Sequence, residues 1–272
     1  MFAAMDPNKL IEHVKDSPEF HLPGGWHPAL PEVFGFQLTK FMVLEVVAGL
    51  LMLALFVPLA WKIRGGRPPK GKLWNMLEVM LVFLRDEVAR PAIGKKDADR
   101  FLPFLWTMFF FILFGNLLGL VPWAGSPTGE LAVTATLAVA TLVTVLGGGM
   151  MKYGFAGFWT GLVPEMGLPI PVAIFIWPMI FVLEVAGLFI RHFVLSMRLL
   201  ANMFAGHLIL AVLLHFIVMA AQQHVAIWAG VMVGSVFGAA MFTILEIFVA
   251  FLQAYIFTFL SALFIGMAVH QH

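Results

Sequence analysis

Charged residues at regular intervals in the apolar C-terminal half of the chain are the first candidates for chemistry. Glu184, Arg191 and Arg198 follow one another at intervals of seven residues, and Asn202 comes four residues after Arg198. A helix turns by about 100° per residue, so these side chains share one stripe of a helix. An arginine at the centre of a membrane helix costs about 2.5–3.5 kcal/mol and cannot shed its charge. Arg198 therefore requires a carboxylate partner.

A histidine and a glutamate in the same half of the chain are candidates for a second site. If the last two apolar stretches fold into a hairpin centred near residue 226, His207 lies level with Glu246 and Arg198 lies level with Gln253. A carboxylate–imidazole pair titrates as a unit and can pass protons near neutral pH. Glu184 lies about 21 Å from Arg198 along a helix, and Glu246 is committed to His207. We therefore expect the partner of Arg198 to be a carboxylate on another subunit.

The composition shows where these residues must lie. Of the 272 residues, 61% are hydrophobic and only 11% are charged, whereas soluble domains carry about 25% charged residues. This excludes a soluble enzyme, a disordered protein and a nucleic-acid binder. The net charge of +1 indicates no polyanionic partner, and the lack of cysteine excludes disulfides and thiolate metal sites. We expect no metal and no cofactor.

The apolar stretches predict an all-α integral membrane protein with about five membrane-embedded helices. A crossing needs about 20 residues, and basic residues mark the inner side. Five basic residues follow the first span and place its C-terminal end inside: Lys62, Arg64, Arg67, Lys70 and Lys72. The predicted elements are a polar outer segment at 1–37, spans at 41–61, 101–121 and 131–151, and an amphipathic inner-surface helix at 73–88, which mixes apolar and charged residues.

The last two apolar stretches are too long for simple crossings. They cover residues 172–221 and 225–270 and follow a Pro-containing segment at 153–171, which we expect to be an inner loop. Each stretch could form two short spans or one long, steeply tilted helix of about 70 Å. Neither stretch has a Gly/Pro cluster or a charged loop at its middle. This favours two long tilted helices that form a hairpin.

The sequence resembles subunit a of F-type ATP synthases over roughly residues 40–268. The run SMRLLANMFAGH at Ser196–His207 is similar to the signature helix of that family. Three further strings match in the same order: FGNLLG at Phe114–Gly119, LE at Leu183–Glu184 and FLQAYIF at Phe251–Phe257. The agreement in strings, order and spacing makes the resemblance specific.

The resemblance implies a proton-translocating stator whose final hairpin faces a rotor ring of small carboxylate-bearing subunits. It implies that Arg198, with Asn202 beside it, separates two aqueous half-channels. His207, Glu246, Asn116 and Gln253 would line the outer half-channel and Glu184 the inner one. His207 and Glu246 are exchanged relative to many bacterial members, and Gly119 replaces an acid that some members carry.

The same resemblance implies a non-catalytic subunit that works with peripheral-stalk subunits and other ATP synthase subunits in a lipid bilayer. The chain has no Walker-type glycine loop with lysine, so we do not expect it to bind ATP. The long polar N-terminal segment favours a bacterial inner membrane over a mitochondrial inner membrane.

Two other functions remain open at this point. A proton-coupled secondary transporter would also hold ionisable residues in a membrane, although the two halves show no repeat. A haem-bearing subunit would need facing histidines, which the spacing of His207 and His215 does not create. Asn116 and Gln253 could also act only as hydrogen-bonding groups between helices.

Overall fold

A computed structural model describes residue 17 and residues 30–33, 36–64, 71–121, 125–163, 170–221 and 224–270. Most of the polar segment at 1–37 lies outside these residues. Its described end contains two short antiparallel strands that the sequence did not predict, β1 (Glu32–Val33) and β2 (Phe36–Gln37).

Most of the rest of the described chain is helical. Five helices are long and apolar enough to cross a membrane, which confirms the predicted all-α membrane fold. Helices suit this environment because they satisfy their backbone hydrogen bonds within one segment. The helices are α1 (Lys40–Ile63), α2 (Lys72–Phe83), α3 (Arg90–Ile93), α4 (Ala98–Gly119), α5 (Leu131–Thr160), α6 (Ile170–Ala220) and α7 (Val225–Val269).

The last two helices form the predicted long hairpin. Helix α6 has 51 residues and α7 has 45, and neither is interrupted at its middle. The alternative of four short spans is wrong. Pro178 lies in α6, but only eight residues after its first residue, so the helix continues beyond it.

Helix α5 extends further than expected. The sequence predicted a span at 131–151 and a loop from residue 153, but the helical segment reaches Thr160. Within it, Gly154 has φ 77° and ψ 167°, which is not helical and is tolerated by glycine. The change of direction lets the fully buried Phe158 pack on Gly149, where any Cβ would collide with the Phe158 ring. Residues 155–160 therefore belong to a helical turn and not to a loop.

The predicted surface helix at 73–88 is also longer in the structure. Helix α2 continues through a π-helical turn at Leu84–Ala89 into α3. Ion pairs surround the turn, since Arg90 Nη1 lies 2.7 Å from Asp86 Oδ1 and Arg85 Nε lies 3.2 Å from Asp99 Oδ1. The sequence placed Arg85 and Asp86 on the predicted surface helix, but it gave no sign of the extra residue in the helical turn.

The described residues divide into two compact units. The first unit consists of Met1–Pro58, Phe110–Val133 and Leu199–Ala254. Its buried apolar side chains include Phe41 on α1, Phe110 and Ile112 on α4, and Met203 on α6. The rings of Phe56 and Phe110 approach to 4.5 Å between centroids.

The second unit consists of Leu59–Phe109, Thr134–Arg198 and Tyr255–His272. Its α7 segment is held closely against the end of α3, because Gly266 meets the backbone carbonyl of Ala92. His270 Nε2 lies 2.6 Å from the Ile93 carbonyl oxygen, and the Tyr153 hydroxyl donates to the Val269 carbonyl at 2.8 Å. These contacts fasten the C-terminal end of α7.

A further ion pair lies in the same unit and joins Lys152 on α5 to Asp97, which lies before the first residue of α4. Lys152 Nζ donates to Asp97 Oδ2 at 2.7 Å. This hydrogen bond to a cation lowers the pKa of Asp97 below its usual value, and the nearby His270 lowers it further. The Asp97 carboxylate is therefore held in its charged form.

Replacing Gly266 by alanine tests the close approach of α7 to α3. The added Cβ would overlap the Ala92 carbonyl, and overpacking of this kind typically costs about 1–3 kcal/mol. We expect Gly266→Ala to lower the melting temperature of the purified complex. Gly230→Ala is the matched control on α7, because no atom of the described residues lies within 4 Å of its Cβ position. Equal melting temperatures for both variants would contradict the packing described here.

Candidate functional site

Asn202 on α6 and Gln253 on α7 form a direct bridge in the first unit. Asn202 Nδ2 donates to Gln253 Oε1 at 2.8 Å, and Gln253 is 1% exposed. The sequence predicted that Gln253 lies level with Arg198. In the structure Gln253 instead bonds to Asn202, which lies one helical turn after Arg198. Gln253 Nε2 is buried and has no hydrogen bond within the described part of the chain, so this amide keeps a free donor.

Glu246 on α7 reaches α6 at Gly206, next to His207. Glu246 is 3% exposed, and a Cβ at Gly206 would collide with its carboxyl group. Neither Glu246 oxygen nor His207 Nε2 has a hydrogen-bond partner among the described residues. The hairpin thus places Glu246 against Gly206, the residue before His207, without the direct bond between Glu246 and His207 that we expected. Unpaired ionisable groups inside membrane segments mark functional sites.

Asn116 on α4 joins the same unit through a chain of hydrogen bonds. Its Nδ2 donates to the Ala250 carbonyl at 3.3 Å, and its Oδ1 accepts from Thr128 Oγ1 at 2.6 Å. The hydroxyls of Ser126 and Thr128 are 2.7 Å apart, and all three polar side chains are buried. Ala250 lies on α7 between Glu246 and Gln253. The chain of hydroxyl and amide groups therefore ends next to those two side chains.

Sequence reasoning did not identify Ser126 and Thr128. The sequence did contain a signal that another segment packs closely on α4. Gly115 and Gly119 lie four residues apart and so share a face of this helix. A Cβ at Gly119 would collide with Ser126, and one at Gly115 would lie 3.3 Å from Thr128. The glycine at 119, noted as a departure from some family members, makes room for this loop.

Arg198 on α6 is half-buried and forms no ion pair with the residues that the structure describes. That its acidic partner lies on another subunit therefore stays a prediction. Arg191 differs, because its Nη2 lies 3.7 Å from Glu184 Oε2 in the second unit. The spacing of seven residues predicted that Glu184 and Arg191 lie on the same side of the helix, but it assigned no role to Arg191.

The second unit also holds a cavity of about 350 Å³. Glu184 and Arg191 line it together with two histidines, His192 and His270, for which sequence reasoning found no role. The remaining lining residues are mostly apolar and come from α5, the turn that follows it, α6 and α7. Within the described residues no group of three His, Cys, Asp or Glu could hold a metal ion.

Five apolar helices in the described part of the chain, with buried polar side chains on the last of them, define an integral membrane protein. The family model for the ATP synthase A chain matches residues 42–266. The chain is 39% identical to ATP synthase subunit a of Myxococcus xanthus over 96% of this chain and 88% of that protein. It is 40% identical to ATP synthase subunit a of Chloroherpeton thalassium, over 97% of this chain and 78% of that protein.

A third relative, ATP synthase subunit a 2 of Chlorobium luteolum, is 38% identical over 95% of this chain and 74% of its own length. The chain therefore belongs to the ATP synthase A chain family, the subunit a family of F-type ATP synthases. This confirms the resemblance stated from the sequence and makes the chain a non-catalytic membrane subunit. It favours this function over a secondary transporter or a haem-bearing subunit.

Replacing Thr128 by valine tests the hydrogen-bonded chain in the first unit. Valine keeps the shape but leaves the buried Asn116 Oδ1 without its donor, and an unsatisfied buried group costs about 1–3 kcal/mol. We expect a lower melting temperature for the Thr128→Val complex. Thr144→Val is the control, since Thr144 bonds only to the Ala140 carbonyl of its own helix at 2.8 Å. If Thr128→Val lowers the melting temperature no more than Thr144→Val does, the hydrogen-bonded chain from Ser126 to Asn116 is contradicted.

Proposed function

We propose that this chain is the proton-translocating stator of a rotary F-type ATP synthase and that Arg198 couples proton flow to rotation of the ring. The observation that supports this most strongly is the unpaired Arg198 on a membrane helix. A guanidinium at this depth needs a negative partner, because desolvation of a lone charge is costly. A carboxylate carried past Arg198 by a rotor ring supplies that partner once per ring subunit.

The outer half-channel is formed by the polar groups of the first unit. Glu246 on α7, which contacts Gly206, and His207, which follows Gly206 on α6, supply the proton-exchanging groups. The Asn202–Gln253 bridge and Asn116 flank them with hydrogen-bonding amides. Protons enter here from outside and neutralise a ring carboxylate, which can then turn into lipid without the cost of a buried charge.

The inner half-channel is formed in the second unit. Glu184 and Arg191 line the cavity of about 350 Å³ there, which gives a polar path through an otherwise apolar region. A ring carboxyl that has completed its turn releases its proton into this path. The resulting carboxylate is attracted by Arg198 before it takes up the next proton.

Arginine suits the role of keeping the two half-channels separate because it stays protonated at any physiological pH. It cannot accept a proton from one side and release it to the other, so protons must travel on the ring. Its attraction for a carboxylate is also stronger in the low dielectric of a membrane protein than in water. Both properties oppose a proton leak that bypasses rotation.

The partners implied are the rotor ring, the peripheral-stalk subunits and the other subunits of the synthase. ATP chemistry takes place on those other subunits. The bacterial relatives and the long polar N-terminal segment support a location in a bacterial inner membrane.

The substitution Arg198→Ala in inverted vesicles that contain the whole complex tests this proposal. We expect ATP-driven acidification to be abolished while the complex still assembles, because the ring carboxylate loses its counter-charge. After removal of the soluble head, we expect passive proton permeability to rise. Both are measured with a pH-sensitive dye.

The control is Arg100→Ala, which also removes an arginine. The Arg100 guanidinium contacts only the Met151 sulfur, at 3.6 Å, among the hydrogen bonds of the described chain. We expect this variant to pump normally. Normal pumping by Arg198→Ala would contradict the proposed role of Arg198.

A further inference from the structure

His192 is a buried titratable group in the second unit that the proposed mechanism does not use. It lies on α6, eight residues after Glu184 and six before Arg198. It is 4% exposed and shares the buried side of α6 with Leu195 and Ser196. The half-exposed charges of Glu184 and Arg191 lie on a different side of the helix. Burial of a histidine in a membrane helix calls for an explanation.

The hydrogen bond of His192 fixes which nitrogen can accept a proton. Nδ1 lies 2.8 Å from the Leu188 carbonyl oxygen. A carbonyl oxygen can only accept, so Nδ1 carries the hydrogen and the lone pair of the neutral ring is on Nε2. Nε2 is buried and bonds to none of the described residues. The ring is therefore held in place through one nitrogen while the other is free to accept a proton.

The surroundings of His192 supply a route for that proton. His192 lines the cavity of about 350 Å³ with three other titratable or charged residues, Glu184 and Arg191 on α6 and His270 at the end of α7. Each water molecule occupies about 30 Å³ in the liquid, so the cavity has room for several. Polar lining and sufficient volume are the two conditions for a hydrated path.

Among the described residues that line the cavity, no other charged group faces His192. The α7 side presents Phe264, whose ring centroid lies 5.2 Å from that of His192, together with Met267 and Ala268. The remaining lining residues are Val145, Phe158, Gly161, Leu162 and Leu188, none of which is ionisable. Protonation of His192 is therefore governed by Glu184, Arg191, His270 and the water of the cavity.

We propose that His192 is a proton acceptor in the inner half-channel, which rests on the function proposed above. A proton released by the ring carboxyl passes through the cavity water to Nε2. The ring carboxyl becomes a carboxylate and the neutral imidazole becomes an imidazolium. Nε2 then returns the proton to the cavity water or to Glu184, and the proton leaves on the inner side. The Nδ1 hydrogen bond to Leu188 remains intact throughout.

His192→Asn tests this role with little change in structure, since the asparagine amide can still donate to the Leu188 carbonyl but cannot carry a proton. Inverted vesicles stripped of the soluble head expose the inner side to the medium. Passive proton flow from the vesicle interior to the medium is measured with the medium between about pH 5.5 and 8, a range centred near the usual imidazole pKa of about 6.5.

In the wild type, we expect flow to decrease as the medium is acidified through the imidazole range, because protonated His192 can no longer accept a proton. In His192→Asn, we expect flow at pH 8 to be at least about tenfold slower and its dependence on medium pH in this range to be lost. A purely structural role would lower the rate without changing the pH profile.

His215→Asn is the matched control on the same helix. Its Nδ1 is also buried and has no hydrogen bond within the described residues, but it does not line the cavity. We expect it to keep the wild-type rate and pH profile. A wild-type rate and profile for His192→Asn would overturn the role of His192.

The Arg198→Ala measurement separates this inference from the proposed function. If that variant cannot pump but His192→Asn behaves as the wild type, only the role of His192 fails. If Arg198→Ala pumps normally, the proposed function fails as well. His192→Gln is a second variant in case His192→Asn does not assemble.

If neither variant assembles, the wild-type complex and His270→Asn decide the question. A dependence on medium pH in the imidazole range that persists in His270→Asn supports His192. The proposal is overturned if proton flow in the wild type does not depend on medium pH in this range, or if that dependence is lost in His270→Asn.

Discussion

The antiparallel register of α6 and α7 is the constraint on which the polar sites depend. In the first unit it joins Asn202 to Gln253 at 2.8 Å and brings Glu246 to Gly206. In the second unit the Arg191 guanidinium lies 4.0 Å from the sulfur of Met267. A shift of either helix by one residue would turn these side chains by about 100° away from their partners. Small residues maintain the register, because Gly206 leaves space for a carboxyl group where any Cβ would collide.

Much of this arrangement follows from the sequence. The length of the two final apolar stretches predicted long helices, and the spacing of His207 and Glu246 gave a hairpin centre close to the observed one. Gln253 bonds to Asn202, whereas the sequence placed it level with Arg198. The choice between these two residues depends on side-chain rotamers and on a shift of a few residues in the helix register, and sequence spacing determines neither. The Ser126–Thr128–Asn116 chain depends on a loop that returns to α4, and periodicity contains no information on that return. His192 was overlooked because a single histidine beside Arg191 in an apolar stretch has no distinguishing pattern.

The two units carry different kinds of polar group. The first unit holds amides, a carboxyl group and an imidazole with unsatisfied hydrogen-bonding capacity. The second unit holds an ion pair between Arg191 and Glu184 at 3.7 Å and a cavity lined by both. Arg198 itself has neither a hydrogen bond nor an ion pair to a described residue. In a membrane, such a charge is stable only when a counter-charge comes from elsewhere, so the account as a whole depends on a partner carboxylate outside this chain.

Cysteine cross-linking is the most direct test of that central claim, and the chain has no native cysteine to interfere. Val194 lies one turn before Arg198 on the same side of α6 and is 45% exposed, whereas the adjacent Leu195 is 1% exposed. A photoreactive label on Val194→Cys in the intact complex should cross-link to a small membrane subunit whose digestion products contain a carboxylate in an apolar helix. The same label on Leu195→Cys should give no such product. Labelling of lipid alone from Val194→Cys would contradict the claim that the partner of Arg198 lies on another subunit.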